Sequence, residues 1–512
     1  MRGENPELRG ETGAMGRLAA APHPRLFHLL YEPQFAHDRE EVLPWLLRID
    51  AVHVLMLAER GILPRETATG LLRVNRELAA RVCAGEPAFE PPPVHRGLYM
   101  VYEQHYIDRL GAQIGGAAHV ARSRNDINAT IARLRLRDGL IALLEAGDAL
   151  AGAALGLARE HAETVMSGFT HFQPAQPATL GHYLAGVSSE LLRSLRLLAD
   201  AFGNVNRSPL GAGAGWGTSF PIDPERTASL LGFDAVVANS LDAVASRDYA
   251  VQVLAALSAL GIGLTRLAFD LQTWSSQAYG FLRWPDSLVS TSSMMPQKRN
   301  VFVLENIRGQ AARPAGALAA ALLGLKNTPF GNGIEAGSEA IVPLWPALAA
   351  VCTAVQLTEL VLREVEIDSD RMRRFLAAEE TTMTALADSL VAANGLPFRT
   401  AHEAVGRLLQ HAPVGEARSA AALRADLQEV LRELTGRDLL LDEAVIARAL
   451  DPYACVQAAR HGGGPAPESV RSQLAGLDAE RQGLAARVDA WRRRIDQAAA
   501  RSETAMRALL DA

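Results

Sequence analysis

The stretch from about Ile127 to Thr164 keeps apolar residues at helical spacing without a single proline, and it constrains the fold more than any other feature of the 512-residue chain. At 1.5 Å per residue such a helix is on the order of 50 to 60 Å long, more than a small domain can cover. Its apolar face therefore needs equally long neighbours. Candidates run from Thr179 to Phe202, Ser240 to Tyr279, Arg299 to Leu325 and Ser338 to Val365. Pro314 predicts a kink in the third of these, while Pro343 and Pro346 fall early in the last. Five long helices imply an extended all-α bundle, and Ala-rich faces such as AARPAGALAAALLGL allow close approach between subunits as well as within one. With 49% hydrophobic but only 5% aromatic residues, the composition favours helices over strands.

The flanking segments are shorter. Helical periodicity covers Leu43 to Arg60 and Glu66 to Arg81, stops at the proline cluster 87 to 93, and resumes from Arg96 to Leu110. Beyond Asp370, helices are expected at Ala378 to Ala393, Thr400 to His411, Ala417 to Thr435 and Leu441 to Leu450. A long terminal helix from Ser469 to Leu510 follows, its dense charge reading as a solvated face. The expected organisation is a disordered tail at 1–24, an N-terminal helical domain at 25–124, the bundle at 125–370 and a C-terminal helical domain at 371–512.

A net charge of -6 spread over both signs offers no basic stripe for nucleic acid and no polybasic membrane segment. Cys83, Cys352 and Cys455 lie far apart without CxxC spacing, which argues against a metal site or disulfide framework and for a reducing cytoplasm. No apolar h-region opens the chain, and no uninterrupted apolar run approaches the roughly 20 residues that cross a bilayer. Soluble small-molecule chemistry, with no cofactor, is the expectation.

Three polar clusters interrupt the helical pattern. HVARSRND at 119 to 126 sets two arginines and an asparagine just before the long helix, suited to holding a carboxylate, or equally to an Asn/Asp cap with surface arginines. GFTHFQPAQ at 168 to 176 offers the Thr170 hydroxyl, the titratable His171 and the amides of Gln173 and Gln176, though a loop histidine is often structural. STSSMMPQKRNVFVLE at 290 to 305 reads as a mobile loop feeding a helix N-terminus, stiffened by Pro296. It holds Lys298, one of only two lysines among 51 basic residues, which suggests a place for a compact point charge.

Taken together, order and spacing resemble a known family. SSMMPQKRN at 292 to 300 looks like the signature of the fumarase and aspartase superfamily. RSRND at 122 to 126, GFTHFQPAQPATLGHYL at 168 to 184 and SPLGAGAGWGTSFPIDPERTASLLGF at 208 to 233 are similar to its argininosuccinate lyases, as is ALADSLVAANGLPFRTAHEAVGRLL in the C-terminal part. The resemblance runs from about Leu43 to Leu474. It implies a three-domain all-helical subunit with a central five-helix bundle, a homotetramer, and active sites to which three subunits each supply one cluster. The implied reaction is a reversible anti elimination of fumarate and an amine from an N-substituted aspartate. The difficulty lies in the weakly acidic Cβ proton, whose loss creates a doubly charged intermediate. By the family pattern Ser292 is the base, supported by Lys298, and His171 paired with Glu305 assists the leaving nitrogen. Ser123, Arg124, Asn125, Thr170, Gln173 and Asn300 would bind the substrate.

Departures from that pattern fall on the amine side. KNTPFGNGIEAGSEA at 326 to 340 replaces the family's polar stretch; Ile49-Asp50 stands for a Gly-Ser pair before His53; Val120 and Ala121 replace a threonine and a glycine. Losing partners for a buried zwitterion discriminates against it, so an amine other than arginine is expected, as in aminopolycarboxylates resembling ethylenediamine disuccinate. Argininosuccinate itself, a catalytically silent crystallin-like scaffold and a cycloisomerase of the same superfamily are the alternatives.

Overall fold

The computed structural model describes residues 20–410 and 419–511. The expected tail therefore lies outside the described residues as far as residue 19, as does the whole connection from His411 to Ala417.

Helices α1 (Leu43–Glu59), α2 (Arg65–Cys83) and α3 (Leu98–Leu110) gather around a hydrophobic cluster that includes Leu46, Leu72 and Tyr102. The bundle follows: α4 (Arg124–Glu160), α5 (Leu180–Val205), α6 (Asp248–Ser275), the pair α7 (Phe302–Ala311) and α8 (Arg313–Leu325), and α9 (Leu344–Arg363). Their apolar stripes merge into one cluster running from Leu136 to Leu362. A third cluster joins α10 (Met383–Asn394), α11 (Phe398–Gln410), α12 (Ala420–Thr435) and α13 (Glu443–Leu450). Finally the 45-residue α14 (Pro467–Asp511) returns along the bundle.

Successive bundle helices reverse direction, and named contacts fix the sense. The Gly181 N–H at the start of α5 donates to the His161 carbonyl just past α4 (2.9 Å), whereas Arg133 near the start of α4 donates to the Asn204 carbonyl at the end of α5 (2.5 Å). Arg133 also lies over the Tyr249 ring in the first turn of α6, and Trp274 in its last turn meets Tyr183. Glu305 in α7 accepts from Gln272 near the end of α6 (3.0 Å), and Arg135 covers Trp345 at the start of α9. The starts of α4, α6 and α9 thus share one end of the bundle, which we call the lower end. The ends of these helices share the upper end.

The expected kink is a break: α7 stops at Ala311 and α8 begins with Pro314 in its first turn, where a missing N–H costs nothing. Two expected long helices are shorter. Ser240 to Tyr279 is interrupted at Arg247, whose buried guanidinium donates to the carbonyls of Val244, Ser246 and Gly337, and the last bundle helix begins only after Pro343. The segment 168 to 176 is not a loop but part of an antiparallel hairpin, β1 (Val165–Thr170) with β2 (Gln173–Thr179).

Two further expectations need correction. Helix α14 does not present a simple solvated face. Val470, Leu474, Val488 and Ile495 enter the bundle core and Trp491 stacks on Phe202 at 3.9 Å, while Arg481, Arg487 and Arg492 pair with Asp148, Asp200 and Glu145. Moreover, although no run is uninterrupted, three segments, Arg124–Glu160, Asp248–Ser275 and Ile334–Arg363, are long and apolar enough to cross a membrane by length and composition. Half of each apolar window is buried inside the protein.

Candidate active site

At the lower end, Ser123 is extended and caps α4: its Oγ accepts the Asn125 N–H (3.3 Å) and Asp126 accepts the Ser123 N–H (2.9 Å). This capping box makes serine the cap, not Asn or Asp, and puts Arg124 and Asn125 in the helix's first turn rather than in a loop. Asp126 does more than cap. Its second oxygen accepts the N–H groups of Gly211 (3.1 Å) and Gly213 (2.9 Å), so the glycine-rich segment is tied to the start of α4. Burial pushes the Asp126 pKa up against the pull of these donors. Asn125 reaches the Ala214 carbonyl (3.3 Å), and Arg124 is exposed. This latch was not legible beforehand, because Gly211 and Gly213 are distant in sequence and contribute only backbone.

Immediately upstream, Arg122 is turned inward. Its Nη1 donates to Asp50 Oδ1 (2.5 Å), and Asp50 Oδ2 accepts the Tyr102 hydroxyl (2.7 Å). Both ionic side chains are buried. His53 Nε2 donates to the Val120 carbonyl (2.8 Å), and burial lowers its pKa to about 3, so it stays neutral. Asp50 is therefore engaged with the protein itself through both oxygens, and His53 through Nε2.

At the upper end, the hairpin tip is strained. Thr170 pairs with Gln173, leaving His171 (φ 54°) and Phe172 (φ 60°) as a two-residue turn with both residues left-handed. Such turns favour Asn and Gly, so a His-Phe tip is costly and points to a function that needs those side chains there. Thr170, His171 and Gln173 are exposed, and Phe172 leans on Phe269 of α6.

The 290 to 305 segment does not run straight into a helix. Strands β3 (Ser290–Thr291) and β4 (Arg299–Asn300) pair first, and α7 follows. Arg299 anchors the base of this loop on Asp286 and the Trp284 carbonyl. Ser292 Oγ accepts two N–H groups, from Met294 (3.2 Å) and Met295 (3.0 Å). Two donors on one hydroxyl oxygen favour its ionised form. Lys298 is exposed and Asn300 half-buried. The expected partnership of His171 with Glu305 is not formed among the described residues of this one chain, since Glu305 is held by Gln272.

One chain does not assemble these groups. Arg124 and Asn125 start the 37-residue α4, about 55 Å long, and the hairpin follows its end, so most of the length of the bundle separates them. A cavity of about 530 Å³ lies near the hairpin, lined by Ser167, Tyr183, Glu190, Arg266, Asp270 and Trp274 among others. None of the ten candidate residues lines it, so it is not the expected site.

Family models match at residues 96–316, described as a lyase, and at 380–457, described as the argininosuccinate lyase C-terminal region. The argininosuccinate lyase of Methanoculleus marisnigri is 38% identical over 499 residues, 96% of each chain. "Argininosuccinate lyase 1" of Shouchella clausii is 34% identical over 464 residues, 91% of this chain and 93% of its own. The crystal structure of an EDDS lyase in complex with formate superposes with a TM-score of 0.82 at 29% identity, covering 97% of this chain and 98% of that one. With the bundle, the hairpin and the signature loop all in place, this chain belongs to the argininosuccinate lyase-like branch of the fumarase and aspartase superfamily, a group of carbon–nitrogen lyases that release fumarate.

Proposed function

We propose that the protein eliminates fumarate from an N-substituted aspartate whose amine part is not arginine, at active sites shared by three chains of a homotetramer. The observation that carries this reading is the Ser292 oxygen with its two N–H donors, in a loop of the family's signature type. Ser292 takes the Cβ proton, helped by Lys298. The Cβ–H electron pair passes first into the adjacent carboxylate, giving the doubly charged aci-carboxylate, and then forms the double bond as the Cα–N bond breaks; His171, with Glu305, delivers a proton to the departing nitrogen. Arg124, Asn125, Thr170 and Asn300 hold the two carboxylates, with Ser123 and Gln173 beside them; fixed donors suit the doubly charged intermediate.

Sharing between chains is supported by the length of α4 and by apolar side chains left exposed on the bundle, Leu197, Ile262, Leu322 and Leu323 among them. The domain division at residues 124 and 370, and action in a reducing cytoplasm that suits three free cysteines, belong to the same reading.

The altered amine is supported by the inward-facing Asp50 and by the 326–340 segment, where Phe330 and Ile334 are exposed. EDDS lyase, with its high TM-score, makes aminopolycarboxylates the first class to try. Incubation with fumarate and a panel of amines, read by mass spectrometry, tests this. Adducts with diamines or aminocarboxylates are expected; an adduct with arginine alone would restore argininosuccinate as the substrate, and no adduct with any amine would overturn the proposal.

A further inference from the structure

Ala121 sits at φ 62°, a left-handed conformation that an L side chain adopts only where its surroundings hold it. Both of its neighbours are tied to the same helix. Val120 is held through its carbonyl by His53 Nε2 (2.8 Å), and Arg122 is held through its guanidinium by Asp50 Oδ1 (2.5 Å). Asp50 and His53 lie three residues apart on α1 and so share one face of it. The carboxylate is itself held from behind by the Tyr102 hydroxyl (2.7 Å), which in turn meets Tyr106 (2.9 Å). On the downstream side the capping box and the Asp126 latch take over at once.

We infer that Asp50 is a positioning residue: through Arg122, and alongside His53, it clamps the strained turn at Ala121 and so sets the direction in which Arg124 and Asn125 leave for the substrate. A cap for α4 requires only Ser123 and Asp126. A buried ion pair is a poor way to gain stability, because desolvation consumes most of its attraction, yet it is directional. Here that direction is applied two residues before the side chains that grip the diacid. The inference rests on the function proposed above for Arg124 and Asn125.

The test compares Asp50→Asn, Ala121→Gly and the double variant in the full-length protein. Two readouts are used: amide hydrogen exchange over residues 120 to 126, which needs no turnover, and kinetics with fumarate and the best amine of the panel. Asp50→Asn keeps the shape but removes the charge. It is expected to speed exchange at 120 to 126 by about tenfold or more while exchange in α5 is unchanged, and to raise KM for fumarate by about tenfold with kcat altered less than about threefold. Ala121→Gly alone should stay within about twofold, and in the double variant it should restore most of the loss, since glycine adopts the turn without the clamp. Should Asp50→Asn fail to fold, Tyr102→Phe withdraws one support from the same carboxylate and should shift both readouts the same way, by about threefold. Unchanged exchange at 120 to 126 in Asp50→Asn, or in Tyr102→Phe where only that variant folds, overturns the inference. So does a double variant no better than Asp50→Asn. If the wild-type protein turns over no N-substituted aspartate, the proposed function falls, and the exchange data still decide whether the clamp exists.

Discussion

The base role proposed for Ser292 rests on contacts within its own loop. A serine hydroxyl is far too weak an acid to serve as a base unless its ionised form is favoured, and two N–H groups at 3.0 and 3.2 Å already point at its oxygen. Removing that oxygen by Ser292→Ala, or the cation proposed to support it by Lys298→Met, should each lower kcat by at least about a hundredfold, the scale seen when one anion-stabilising donor is lost. Size-exclusion chromatography should find both variants assembled as the wild type is, and near wild-type turnover in either would remove its assigned role. Ser292, Lys298, His171 and Asn125 could be named as candidates from the motifs that resemble the family's. Asp50, Arg122 and Asp126 could not be given their partners in advance, because each bond spans dozens of positions: 72 from Asp50 to Arg122 and 87 from Asp126 to Gly213.

Among the elements, α4, α5 and the helices of the C-terminal part fall close to where periodicity puts them, since each buries a stripe that repeats every turn. The misses have local causes. The hairpin at 165–179 has prolines at 174 and 177 and no alternating apolar pattern, so nothing in it spells a strand. Its register is closed by the two-residue His171-Phe172 turn. The break between α7 and α8 shows a contact that periodicity cannot reveal. Gly261 of α6 faces the Ala311 carbonyl, and a Cβ at residue 261 would overlap that oxygen. Gly261→Ala should therefore destabilise the protein by about 1–3 kcal/mol through overpacking, read as a lower midpoint in urea unfolding with an unchanged slope. A variant as stable as the wild type would mean that α7 shifts freely at its end.

For the whole molecule, the decisive dimension is the length of α4. At about 55 Å it keeps Arg124 and Asn125 most of a bundle length away from Thr170 and His171, so sites containing both require more than one chain. Inactive Asn125→Ala and Ser292→Ala proteins, dissociated together and reassembled, should then regain roughly a quarter of wild-type activity, because random hybrids rebuild some sites from unaltered loops. Mixtures that stay inactive would show that one chain furnishes both groups. Helical class and bundle length follow from periodicity, and the family and the candidate site residues from the resemblance of its motifs, all of which are read from neighbouring residues. Folding alone reveals that Asp50 turns inward to Arg122, that Asp126 latches a distant glycine loop and that the 119–126 cluster stands at the opposite end of the bundle from the hairpin. Those outcomes depend on which remote surfaces meet, and contacts across long sequence separations leave no periodic trace in the chain.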